Sequence, residues 1–245
     1  MLRKSPQDLA KIRIAGTHLR EVIARACTVA KPGMTLLELD ASIAADIRSR
    51  NCTPSFLGFQ GFPNSACLSV NEQVVHGIPT DRVLVEGDVL GIDVGLWYEG
   101  ICVDSASTVA IGSVSQEALD LLTRTQEALK AGIRAVKPGR RVGSISAAVQ
   151  NVAEGYGLGI VRALTGHGVG HAIWERPEIP NYGRVGDGML LQAGMVLAIE
   201  PMLTTGGGEV LTQIDGWGIV TADGSLAAQF EYTVIVTRTG AEIVT

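Results

Sequence analysis

The chain has 245 residues, 46% of them hydrophobic and 18% charged, the balance of a folded globular protein rather than a disordered one. Its formal net charge of −5 supplies no basic footprint for nucleic acid. Every apolar run is broken by Gly, Asp or Glu before the roughly 18 residues a membrane span needs. The start, Met1-Leu-Arg-Lys-Ser-Pro6, has basic residues with no apolar stretch behind them, so no signal peptide is read. Cys27, Cys52, Cys67 and Cys102 are scattered without CxxC spacing. That suits a reducing cytoplasm and excludes a cysteine-rich zinc site. The length is compatible with one domain over residues 1–245.

Taken in chain order, Ser5-Pro6 followed by Asp8 marks a capped helix start with proline in the first turn. It opens a helix over residues 6–30, and a second is expected over 36–50. Strands rich in Val, Ile and Thr are predicted at 89–96 and 101–111. Helices at 115–136 and 144–156 come next, then strands at 195–203 and 228–238. Lys31-Pro32-Gly33 and Lys137-Pro138-Gly139 stop the first helix of each set with a terminal cation.

The order repeats. Val29-Ala-Lys-Pro-Gly-Met-Thr35 matches Ala135-Val-Lys-Pro-Gly-Arg-Arg141, and Leu84-Val-Glu-Gly-Asp-Val-Leu-Gly-Ile-Asp93 matches Leu191-Gln-Ala-Gly-Met-Val-Leu-Ala-Ile-Glu200, both at an offset of about 106 residues. The chain therefore reads as two copies of a helix–helix–strand–strand unit, approximately 5–110 and 112–240. The class is α+β, with helices against a central, mostly antiparallel sheet. Asp93 and Glu200 take equivalent positions, so related strands would meet near a pseudo-twofold axis.

The chemistry lies in acids set in apolar strands. If the strands around Tyr98 and Glu99 pair as a hairpin centred there, Asp93 and Asp104 are directly opposed, with Cβ atoms about 4.5–5.5 Å apart. Two carboxylates so placed repel, and a divalent metal pair between them accounts for the arrangement. Glu200 and Glu231 are lone acids in similar strands, where an unpaired buried charge costs several kcal/mol. His167 stands among glycines in Thr165-Gly-His-Gly-Val-Gly-His171, which leaves backbone room at a site. One imidazole with four carboxylates suits Mn, Fe, Co or Zn. His76 is a further histidine, which the residues alone leave open between a structural and a functional role.

The strings Val70-Asn71-Glu72, His76-Gly77-Ile78-Pro79, Gly91-Ile-Asp93-Val-Gly95, Thr165-Gly-His167-Gly-Val-Gly170, Ile199-Glu200-Pro201-Met202 and Gln229-Phe230-Glu231 resemble type I methionine aminopeptidases of the peptidase M24 family. They do so in order and over essentially the whole chain. The resemblance implies the pita-bread (creatinase/aminopeptidase) fold and two divalent metal ions. Asp93 would chelate one metal, Asp104 and Glu231 would bridge, and His167 and Glu200 would hold the second. It further implies that His76 contacts substrate near the scissile amide, that Glu200 also shuttles a proton, and that the substrates are N-termini of peptides or nascent proteins. A monomer is the family expectation.

The substrate side departs from the family. Seven residues beyond the metal-binding histidine the family carries a second histidine, and this chain has Trp174, an indole with one N–H donor that cannot titrate. Phe56, Phe59 and Phe62 stand where the family's methionine pocket has a Cys and two Tyr, while Cys67 and Trp217 match pocket residues. His171 is an addition that would supply the missing imidazole from another backbone position. Two further readings follow from these departures. One is an enzyme of the same scaffold acting on Xaa-Pro peptides, dipeptides or a small molecule; the other is a non-catalytic binding module.

Overall fold

The computed structural model describes residues 3–245. The first half contains α1 (Pro6–Val29), α2 (Leu36–Ser49), β1 (Thr53–Pro54), β2 (Cys67–Val70), β3 (Gln73–Val75), β4 (Val89–Tyr98) and β5 (Ile101–Ala110). The second contains α3 (Gln116–Ala135), α4 (Gly143–Gly155), β6 (Gly159–Ile160), β7 (Thr165–Gly168), β8 (Glu175–Pro180), β9 (Val196–Ile199) and β10 (Met202–Thr204). It closes with β11 (Val210–Thr212), β12 (Ile219–Thr221), β13 (Ala227–Gln229), β14 (Glu231–Val236) and β15 (Ala241–Ile243).

Three helix starts are fixed by side chains. In α1 the Ser5 hydroxyl accepts from Asp8 N–H while the Asp8 carboxylate reaches back to Ser5, and Thr35 with Glu38 repeats this in α2. The Ser115 hydroxyl accepts from Ala118 N–H in α3. Each such cap is worth about 1 kcal/mol. One face of α1, with Ile12, Leu19 and Val22 buried, packs on β4 and β5. Leu129 and Ile133 of α3 pack with Ile199 and Val234 of β9 and β14.

The large sheet runs β1-β4-β5-β14-β9-β7-β8, with β2 also on β4 and β15 also on β14. Two smaller sheets, β13-β10-β6 and β11-β12-β3, lie beside it, and the strand pairs are antiparallel. The two halves meet in the middle of the large sheet, where Glu231 of β14 faces Ala106 of β5. The repeat read from the sequence is written into the hydrogen bonds. Gly33 N–H donates to Leu84 O and Leu84 N–H to Met34 O, both at 2.8 Å; Gly139 N–H donates to Leu191 O and Leu191 N–H to Arg140 O, at 2.9 and 2.8 Å. Gly33 and Gly139 both hold left-handed backbone (φ 89° and 86°), which explains why each Lys-Pro motif ends in glycine. This is the pseudo-twofold pita-bread architecture.

Two expectations need correcting. The hairpin turn is Glu99-Gly100, both with positive φ (44° and 79°), as a two-residue turn joining antiparallel strands prefers. Its centre lies one residue further on than predicted, so Asp93 faces Ala106 and Asp104 faces Gly95. The slip is two residues in register, so both acids keep the same face but meet diagonally rather than directly. Second, the predicted strand 195–203 is two strands. β9 ends at Ile199 in the large sheet and β10 starts at Met202 in a small one. Pro201, which has no N–H to give a ladder, sits at the break. The predicted strand 228–238 divides likewise between β13 and β14 at Phe230. Glu200 and Glu231 thus both stand where the chain changes sheet.

The cross-strand partner of Asp104 has to be small. A Cβ on Gly95 would overlap the Ser55 hydroxyl and press on the Phe56 ring at 3.1 Å and the Asp104 carboxylate at 3.3 Å. Gly95→Ala is therefore expected to lose about 1–3 kcal/mol of stability, read as a lower urea midpoint at unchanged slope; an unchanged midpoint would mean the hairpin yields at no cost.

Candidate metal centre and substrate cavity

Asp93 comes from the middle of β4 and Asp104 from β5. His167 lies in β7, Glu200 immediately follows β9, and Glu231 opens β14. All five line one cavity of about 480 Å³. Carboxylate oxygens of Asp104 and Glu231 and a ring nitrogen of His167 come within 4.8 Å of one another, and His167 Nε2 is 3.5 Å from Glu200 Oε1. His167 Nδ1 donates to Gly168 O at 2.9 Å, which leaves Nε2 bare toward the acids.

Desolvation dominates the electrostatics. Burial, followed by mutual repulsion, drives the carboxyls of Asp93, Glu200 and Glu231 well above the ordinary range. Burial lifts Asp104 to about 7, while a bond from Ser105 N–H pulls it back. His167 is pushed down to about 4, again by burial first, so it stays neutral above that pH. Asp93 Oδ1 and Glu231 Oε1 are buried with no hydrogen-bond partner among the described residues. Orphaned oxygens in a cluster of hard anionic donors with one neutral imidazole fit a divalent cation.

The linkage has a definite sign. In metal-free protein these folded pKa values lie above the ordinary 3.8 and 4.5. Between the two ranges the folded state therefore binds more protons, and its stability falls as pH rises. A cation that needs the ionised acids removes that loss and releases protons. The gap in melting temperature between Mn-saturated and chelated protein is expected to widen from pH 5.5 to 7.5. A constant gap across that window would contradict the assignment.

Part of the cavity wall is apolar and aromatic, with Phe56, Phe59, Phe62, Cys67, Trp174 and Trp217 lining it beside His76, while Glu175, Arg176 and Glu178 line another part. Phe59 meets Trp174 edge to face at 5.0 Å, and Phe62 meets Trp217 at 5.1 Å. His76 holds left-handed backbone (φ 59°), stands edge-on to Trp217 at 6.4 Å, and burial lowers its pKa, so it is a neutral imidazole. Cys67 is opposite Asp93. Burial, then the charge of Asp93, pushes its thiol well up, so it acts as apolar wall.

His171 does not join them. It is not among the cavity-lining residues: its Nδ1 lies 3.4 Å from Lys4 Nζ and its Nε2 3.3 Å from Asp8 Oδ2. The expectation that it replaces a cavity imidazole is corrected, since charges from the N-terminal segment hold its ring outside.

Residues that pattern reading passed over support the acids. Gln229 Nε2 donates to Glu200 Oε2 at 3.1 Å and Asn181 Nδ2 to Glu200 O at 2.9 Å. Thr233 Oγ1 accepts from Asp104 N–H and donates to Asp104 O. Only Gln229 left a trace in the sequence, within the string Gln229-Phe230-Glu231.

This fold, with an acid-floored cavity at the junction of two related halves, defines the class. The chain belongs to metallopeptidase family M24, whose sequence profile matches residues 10–238. Within that family it is similar to methionine aminopeptidases. It is 44% identical over 243 residues to that of Clostridium acetobutylicum, covering 99% of this chain and 97% of the relative. The crystal structure of methionine aminopeptidase from Thermotoga maritima superposes with a TM-score of 0.98 at 39% identity, covering 100% of this chain and 99% of that one. The prolidase of Pyrococcus furiosus shares the fold (TM-score 0.79, 22% identity), but this chain spans only 65% of it.

Proposed function

We propose that the chain is a methionine aminopeptidase, a metal-dependent hydrolase that releases N-terminal methionine from peptides and nascent proteins. One observation carries this: a single cavity brings four acids and an imidazole together with an apolar cluster of Phe56, Phe59, Phe62, Trp174 and Trp217. The acids suit cations and the cluster an unbranched thioether side chain. Asp93, Asp104, His167, Glu200 and Glu231 would hold two divalent ions drawn from Mn, Fe, Co or Zn. When bound, these lower the pKa of water and polarise the scissile carbonyl. Phe56, Phe59, Phe62, Cys67 and Trp217 take the methionine side chain and exclude water. The neutral His76 ring offers one hydrogen bond to the scissile amide, and Glu200, oriented by Gln229, carries a proton toward the leaving amine. Trp174 closes the mouth and offers an indole N–H.

The protein is proposed to act as a cytoplasmic monomer. No helix among the described residues is long and apolar enough to cross a membrane, and the four cysteines are free thiols.

Incubating the purified protein with Met-Ala-Ser and Mn, Co or Fe is expected to release methionine. No release from protein carrying at least one metal per chain would sink the proposal. Trp174 on the substrate side favours a second reading, a related enzyme for another substrate, which Xaa-Pro dipeptides in the same panel would reveal. Less than one ion per chain after supplementation would point to the binding module.

A further inference from the structure

The N-terminal segment reaches the wall of the cavity through one buried side chain. Lys4, 6% exposed, places its ammonium between both carboxylate oxygens of Glu175, at 2.7 and 2.6 Å, and 3.4 Å from His171 Nδ1. Glu175 Oε1 also accepts from the backbone N–H of His171 and of Ala172, at 2.6 and 3.1 Å. One carboxylate thus ties the turn 171–175 back on itself, and Lys4 holds that carboxylate. Burial alone would raise the Glu175 carboxyl; the bond and charge of Lys4, with the two N–H groups, outweigh it and hold it below its usual range.

The fit around Lys4 is close. Gly170 has φ 142°, and a Cβ there would overlap Lys4 Cε. The Lys4 backbone N–H donates to Gly194 O at 2.8 Å, and Gly170 O accepts from Cys102 N–H at 2.6 Å. The turn so anchored carries Ile173, Trp174 and Glu175 into the cavity wall. Trp174 is 46% exposed and is held on its inner side by the Phe59 ring. Glu175 borders the same cavity, and its charge acts on His167, so Lys4→Met, which leaves that carboxylate in place, is the cleaner perturbation of the clasp.

We propose that Lys4 is a positioning residue for the substrate side of the cavity, acting through Glu175 to fix the 171–175 turn and hence the ring of Trp174. The proposal rests on the aminopeptidase reading for its effect on substrate, but not for its effect on the turn. In the metal-loaded protein, Lys4→Met is expected to speed hydrogen exchange at the His171 and Ala172 amides at least tenfold while leaving amides of β4 and β14 unchanged. It is also expected to raise KM for Met-Ala-Ser about fivefold or more, with kcat within about twofold and metal stoichiometry unchanged. Glu175→Gln, which keeps Lys4 in place and weakens the acceptor, should move the same quantities in the same direction; it serves as well if Lys4→Met does not fold.

Unchanged exchange at His171 and Ala172 overturns the clasp. Exchange that accelerates in β4 and β14 as well also overturns it, since Lys4 would then be an ordinary stabilising residue. A fall in kcat at constant KM overturns its assignment to the substrate side. If the unsubstituted protein releases no methionine, the aminopeptidase reading fails by itself, and the exchange measurement still decides the clasp.

Discussion

The Asp104→Asn protein is expected to melt higher than the parent when both are stripped of metal, and to bind divalent cations at least ~10²-fold more weakly, beyond the tenfold to hundredfold typical of groups that only support a ligand. The two effects have opposite sign because Asp104 has two opposite relations to its surroundings. Without a cation its charge helps raise the pKa of Asp93, Glu200 and Glu231, and replacing it by a neutral isostere removes that repulsion. The bond from Ser105 N–H to Oδ1 at 3.0 Å survives in asparagine, so the strand is not disturbed. With a cation, the lost charge weakens its hold, and methionine release should fall to below roughly a hundredth of the parent. Calorimetric melting of chelated protein and titration with Mn check the two halves. A lower apo melting temperature would show that the acids do not destabilise the fold, and an unaltered Mn affinity would show that Asp104 is not a ligand.

Trp174→His should move activity the other way. The indole N–H is a single donor on a bulky ring that lies edge-on to Phe59. An imidazole on the same backbone gives a smaller, reorientable donor, and it restores the residue found at this place in the family that the sequence resembles. A well-aimed donor to developing oxyanion charge is worth about 10²–10³ in rate. The turn is shaped around an indole, so only part of that should return, and kcat/KM on methionyl peptides is expected to rise about tenfold or more. Trp174→Phe, with no donor, should fall below the parent. Equal rates for all three proteins would show that position 174 takes no part in the chemistry, leaving Phe56 as the departure to explain.

Local features were readable without coordinates. Ser5 with Asp8, the Lys-Pro-Gly stops and the repeat placed all four helices and both halves. The acids were legible as a group because buried charge in an apolar strand needs compensation, and the structure brings all four to one cavity. The hairpin register was misplaced by two residues because Glu99 adopts positive φ beside Gly100, which sequence alone assigns poorly for a glutamate. Because the error was even, it left both aspartates on the correct face. Pro201 marked a loss of pairing in the sequence, but the change of sheet there and at Phe230 did not show, since strand propensity continues across both and only the tertiary pairing changes. His171 was misjudged for a different reason: its partners, Lys4 and Asp8, are more than 160 residues away in sequence, and no spacing rule reaches that far.

The outer margins of the large sheet carry a last consequence. On one side it ends in β1, two residues long and closing on Pro54; on the other it ends in β8, where Pro177 lies between exposed Arg176 and Glu178 and Pro180 closes the strand. Proline has no N–H to offer an incoming strand, and charged side chains discourage one from settling. These two borders thus present little template for stacking with other copies, and crowded solutions of folded protein should not seed fibrils from them.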